Sequence, residues 1–154
     1  MNASAISSAR FAPRPSFIHT THYRGRRRLG VKYERRVQDF LHSTYGDAHL
    51  PSPWIVYNLL GDGRDHYAQP DALVRLPDRI IIVEAKYSHT PKAWFQLFEK
   101  YEPLVRFLYP TIPTACIEVC KWFDPAIVCP QPAALCPDIA SANSKHFNVH
   151  IYRP

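Results

Sequence analysis

QPDALVRLPDRIIIVEAKYS, residues 69 to 88, is the stretch on which the reading of this chain turns. Its β-rich segments PDALVRL and RIIIVEAKYS flank Pro77 and Asp78, which predicts a hairpin. Side chains alternate along a strand, so Ile80, Ile82, Glu84 and Lys86 share one face while Ile81, Val83 and Ala85 share the other. With the loop centred between Pro77 and Asp78, Asp71 falls opposite Glu84, and directly opposed residues have Cβ atoms roughly 4.5–5.5 Å apart. A loop of odd length would shift this pairing by one. Two carboxylates that close repel each other unless a cation or a proton lies between them. An all-oxygen pair suits a hard cation, Mg²⁺ or Mn²⁺, better than zinc. Lys86, one pleat along, is placed to hold an anionic nucleophile or a phosphate oxygen.

Upstream, GVKYERRVQDFLHSTYG carries Tyr33, Val37, Phe40, Leu41 and Tyr45 at helical spacing and closes at Gly46, predicting an amphipathic helix from about residue 30. Glu34 lies about 100° round from Tyr33, on the edge of the buried stripe, and can face a site. PWIVYNLL (53 to 60) predicts a strand and GDGRDHYAQ (61 to 69) a polar loop, whose Arg64 and His66 are candidate phosphate or base contacts. From Lys92 to Leu108 apolar residues recur at helical spacing until Pro110, with Gln96 and Lys100 off the apolar stripe and able to reach a nucleic-acid backbone. TACIEVCKWF and HFNVHIYRP predict two further strands. The order is helix, three strands, helix, strand, in a mixed α/β domain.

These residues meet a known pattern. QPDALV followed by IIIVEAK resembles the PD-(D/E)XK nuclease signature, with Pro70-Asp71 as its first half and Glu84-Ala85-Lys86 as its second. The resemblance runs from residue 30 to about residue 122. It implies a restriction-endonuclease-like α/β core, a central mixed sheet flanked by helices in the order αβββαβ. It implies a Mg²⁺-dependent deoxyribonuclease in which Asp71, Glu84 and the Ala85 carbonyl bind the metal, Lys86 positions or activates water, and Glu34 supports a second metal or its waters. Some RecB-type members carry a Gln followed four residues later by Tyr where this chain has Gln96 and Lys100, with Tyr101 one place further on. RGRRRLGVKYE is similar to the basic, Gly-containing start and Glu-bearing first helix of small resolvases, which act as dimers, so a homodimer is a further expectation. The alternative within the same fold is a protein that binds DNA or joins an assembly such as a phage particle without cutting it.

A chain of 154 residues with 46% hydrophobic residues suits one compact domain, taken as 30 to 154. Its net charge of +6 arises in the first 33 residues, which hold seven Arg or Lys and no acid. Residues 1 to 29 read as a flexible basic arm. Arg26, Arg27 and Arg28 in YRGRRR fit a phosphate-neutralising segment, a solubilising tail or, by composition, an organelle-transit segment. No apolar run approaches the roughly 18 residues of a membrane span, and an intracellular protein, cytoplasmic or nucleoid-associated, is expected. Cys116, Cys120, Cys129 and Cys136 do not have zinc spacing; the first two read as core side chains, and an iron–sulfur cluster is the less favoured use. His19, His22 and His42 read as surface or arm residues, and Trp54, Trp94 and Trp122 as core anchors. No Gly-rich phosphate loop or Ser-His-Asp pattern is present.

Overall fold

A computed structural model describes residues 5–19 and 24–154; His22 and Tyr23 lie outside the described residues, as does the side chain of Arg26. Along the chain run β1 (Ile6–Ala12), α1 (Arg26–Tyr45), a 3₁₀ turn (Gly46–Ala48), β2 (His49–Pro51), β3 (Trp54–Leu59), β4 (His66–Ala68), β5 (Ala72–Arg75) and β6 (Ile80–Ser88). There follow α2 (Pro91–Trp94), a π-helical segment (Phe95–Tyr101), α3 (Glu102–Leu108), β7 (Thr114–Trp122), β8 (Ala133–Leu135) and β9 (Phe147–Ile151).

The hairpin forms in the expected register. β5 and β6 run antiparallel with Ala72 opposite Val83, Leu73 opposite Ile82, Val74 opposite Ile81 and Arg75 opposite Ile80. On its other side β6 pairs in parallel with β7, and the six-stranded mixed sheet has the order β2-β5-β6-β7-β9-β8. Helices cover both faces. Ile80 and Ile82 pack with Leu73, Leu97, Leu104, Cys116, Cys120 and Phe147 beneath the second helical span. Ile81, Val83 and Ala85 pack with Tyr33, Val37 and Leu41 of α1. Burial on both faces explains why β6 reads as a continuous apolar run rather than an alternating one.

The αβββαβ order needs correction. β3 does not join the central sheet but lies between β1 and β4 in a separate three-stranded sheet. Its buried Ile55 and Tyr57 pack in the same cluster as Leu97 and Leu104. The place beside β5 is taken by β2, whose three residues before Ser52 and Pro53 are too short for a periodicity to show. The basic arm and the polar loop are also more ordered than expected. β1 pairs along β3 from Ile6 to Ala12, burying Ile6, while His66–Ala68 closes the other edge. α1 begins at Arg26, with Gly25 before it at a φ of 59°, so Arg27 and Arg28 belong to the first helical turn and not to a tail.

The two-faced burial of β6 makes it the main mechanical element. Ile82→Ala, at a fully buried position, is expected to destabilise by about 2–5 kcal/mol and Ile82→Val by about 1 kcal/mol. Urea denaturation checks this as a lower midpoint with an unchanged slope.

Candidate active site

The β5–β6 ladder ends at the Ala72–Val83 pair while β6 continues to Ser88, so β6 overhangs its neighbour. Asp71 stands at the end of the ladder, next in register opposite Glu84. Its Oδ2 accepts a 2.7 Å hydrogen bond from the Ala85 N–H, which a longer β5 would otherwise have satisfied. The N–H and C=O of one strand residue point to the same side, so the Ala85 carbonyl faces the open edge on which Asp71 lies.

The Asp71 backbone is fixed from α1 and from the turn after β2. Its carbonyl accepts from Gln38 Nε2 at 2.6 Å, from the Ser52 N–H at 2.8 Å and from Ser52 Oγ at 3.2 Å. Ser52 adopts a φ of 41°, the left-handed region that a non-glycine residue enters only under constraint. Gln38 Oε1 in turn accepts from His49 Nε2 at 2.8 Å. Burial lowers the pKa of His49, which keeps that imidazole neutral.

Glu84 is buried, at 1% exposure, and its Oε1 is paired with Lys86 Nζ. Its other oxygen, Oε2, is buried with no protein partner. Glu34 lines a cleft of about 400 Å³ together with Arg27, Gly30, Val31, Ala85, Lys86 and Tyr87. The three carboxyls sense one another. Burial and the charge of Asp71 push Glu34 up to about 7 against the opposing pull of Lys86 and Arg35. Burial, Asp71 and Glu34 likewise raise Glu84, and burial raises Asp71 despite the Ala85 hydrogen bond and Lys86. Among the described residues no group of three or more His, Cys, Asp and Glu is placed so that it could hold a metal ion. Lys86 supplies the positive charge that Glu84 meets. Asp71, Glu84 and the Ala85 carbonyl could offer oxygen donors only, and Glu84 Oε2 is buried with no protein partner; such donors are the kind a hard divalent cation takes.

No family model matches the chain, and no curated protein or solved structure matches it.

Of the secondary candidates, Gln96 donates through Nε2 to the Tyr101 hydroxyl at 3.2 Å. Tyr101 is buried, and its phenol is pushed far up, first by burial and then by the field of Glu84, with smaller contributions from Asp71 and Glu34. It is thus a core residue whose polar end senses the carboxyls. Lys100 extends over the Tyr101 ring at 5.9 Å; burial lowers its pKa while Glu84 opposes the shift. Arg64 and His66 are engaged elsewhere. Both approach Asp62 in the turn between β3 and β4, His66 Nε2 at 2.6 Å and Arg64 Nε at 3.8 Å.

Sequence reasoning missed Gln38, Ser52 and His49. Gln38 lies four residues after Glu34 on the same helix face, a signal that was available. It also missed a buried pair behind the site: His89 Nδ1 lies 2.6 Å from Glu118 Oε2, and Glu118 is the β7 partner of Glu84. Burial raises Glu118 to about 8 and lowers His89, so both groups are shifted toward their neutral forms. His49 and His89 are buried, unlike the surface histidines expected, and Trp122 is 50% exposed rather than a core anchor.

These shifts predict the pH dependence of stability. Glu34 and Glu118 have folded values of about 7 and 8, above the unfolded value of 4.5, so the folded state binds more protons through that interval. Their contribution is complete below the unfolded value and lost as pH rises through the folded one. The lowered His49 and His89 act in the opposite sense, but only up to their unfolded value of 6.5. Denaturation without added metal should therefore show stability falling from about pH 6.5, where the histidines cease to offset it, to about pH 8, with a shallower fall in Glu34→Gln and Glu118→Gln.

Proposed function

We propose that the chain is a metal-dependent nuclease of the PD-(D/E)XK type, hydrolysing DNA phosphodiester bonds at the overhanging end of β6. The observation that carries this reading is the bond from the Ala85 N–H to Asp71 Oδ2, in the register that sets Asp71 beside Glu84 and Lys86. The mixed sheet with a helix-borne Glu34 on one side and Gln96 with Tyr101 on the other supports it.

Asp71, Glu84 and the Ala85 carbonyl would hold Mg²⁺ or Mn²⁺. Such an ion polarises a phosphoryl oxygen and makes water acidic enough to attack at neutral pH. The chain's own groups do the remainder. Lys86 sits between Glu84 and the cleft and can turn its ammonium to the attacking oxygen or to the phosphate. Glu34, held near 7, is poised to take a proton from water at physiological pH. Arg27 brings a guanidinium to the same cleft. It does so from the first turn of α1, which contains no acid and where a cation opposes the helix dipole. A phosphate is the partner that repays that placement.

The experiment is incubation of the protein with linear, nicked, single-stranded and four-way DNA in Mg²⁺ or Mn²⁺. Wild type is expected to cut, and Asp71→Ala and Lys86→Ala to lose roughly 10²-fold or more. Absence of cutting by wild type, or equal cutting by the variants, would remove the enzyme and leave a non-cutting DNA-binding protein. The closure of Lys86 on Glu84 is the observation that favours that second reading. An assay independent of turnover is thermal stabilisation by Mg²⁺. It should be larger at pH 8 than at pH 6, because the ligands must shed protons, and absent in Asp71→Asn.

A further inference from the structure

The cleft does not end at Lys86. Its last lining residue, Tyr87, touches a surface that the chemistry above does not use. Lys121 Nζ lies 5.6 Å from the Tyr87 ring centroid and 5.7 Å from that of Trp122, and Arg153 Cζ lies 5.5 Å from the Trp122 ring. Trp122 is half exposed at the end of β7, paired with Ser88 at the end of β6, so this ledge lies on the two strands that lead away from the site. It is a built surface. Tyr87 stacks edge-on against the buried Tyr33, whose hydroxyl donates to the Tyr152 carbonyl at 3.0 Å. Arg153 Nε donates to the Lys121 carbonyl at 3.4 Å. Among the described residues neither Lys121 nor Arg153 forms an ion pair, and the nearby Asp124 accepts from the Ala126 N–H within its own turn.

An exposed indole that carries two cations over its ring, neither with an acid partner among the described residues, answers one chemistry. A base stacks on the ring in place of the cations, and the flanking phosphates take their charges. Duplex DNA presents phosphates but not base faces, so the matching ligand is an unpaired strand. We infer that Tyr87, Lys121, Trp122 and Arg153 form a docking ledge for single-stranded nucleic acid continuous with the cleft, so that the preferred substrate carries an unpaired strand beside the cleaved bond. This rests on the nuclease reading of the cleft.

The test is binding of a labelled single-stranded oligonucleotide of mixed sequence and of a blunt duplex of equal length, by fluorescence anisotropy in EDTA so that nothing is cut. The ratio of single-strand to duplex affinity should fall about tenfold in Trp122→Ala and be largely restored in Trp122→Tyr, since stacking tolerates one aromatic ring for another. Lys121→Gln and Arg153→Gln should each reduce the salt slope of single-strand binding by about 0.7. An unchanged ratio in Trp122→Ala overturns the ledge, even where Asp71→Ala abolishes cutting and the nuclease reading survives. Conversely, a wild type that binds single strands through Trp122 but cuts nothing with Mg²⁺ keeps the ledge and removes the nuclease. If Trp122→Ala changes the sedimentation of the protein but not the ratio, the surface is a protein interface and the proposal falls.

Discussion

One hydrogen bond, from the Ala85 N–H to Asp71 Oδ2, fixes how the rest of the site can be arranged. A strand that outruns its neighbour leaves backbone donors exposed at the edge. Here a carboxylate takes the place of the missing partner strand. Because the bond runs to backbone, Asp71 is positioned by the sheet itself and not by another mobile side chain. Its carbonyl is tied in turn to Gln38 and to Ser52, so α1, the turn after β2 and the β5–β6 hairpin meet at a single residue. The positive φ of Ser52 is a local strain of the kind retained only where the surroundings over-determine it, and here the surroundings are the two hydrogen bonds it gives to Asp71.

The same edge explains how the sheet tolerates charge at the end of its most apolar strand. Glu84 and Glu118 are register partners on adjacent parallel strands, both at 1% exposure or less, with Lys86 as the nearby cation. Two buried carboxylates and one ammonium cannot all be ionised without a net charge in a medium of low polarity. Burial meets this constraint by raising both carboxyls, Glu118 and Glu84, to about 8. Glu118 is hydrogen-bonded to His89 Nδ1 at 2.6 Å and accepts from the Thr90 N–H at 3.2 Å, while Glu84 faces Lys86. The buried His89–Glu118 pair lies behind the candidate site.

The hairpin register was legible because a period of two leaves no intermediate solution. Once Ile80 to Val83 are buried on both faces, a slip of one would exchange the sets that meet Leu97 and Leu41. α1 was legible in the same way, except at its start, where Arg26 to Arg28 are helical but carry no apolar signal. The fate of β3 was not legible. Its apolar run from Trp54 to Tyr57 would suit either sheet, and only the pairing of β1 and β4 along its two edges decides the matter. For the site, Asp71, Glu84, Lys86 and Glu34 stand out as ionisable groups in apolar contexts. Gln38 and Ser52 act through backbone carbonyls, and nothing in a side-chain pattern records where a carbonyl points.

The second helical span shows how one extra residue is absorbed. In a regular α-helix residues four apart share a face, so Gln96 would meet Lys100, and Tyr101 would stand about 140° round from Gln96. The chain instead widens to π geometry over Phe95–Tyr101, where residues five apart come together, and Gln96 bonds to the Tyr101 hydroxyl. The widening ends at Tyr101, two residues before Pro103, whose missing N–H and bulky ring disfavour the regular bond to the residue four places back. Leu97 and Tyr101 before the proline and Leu104 after it all remain buried in one cluster, so the bulge shifts the phase of the helix without losing its apolar face. A fixed spacing of four passes over this pair; a helix that inserts one residue brings Gln96 and Tyr101 together.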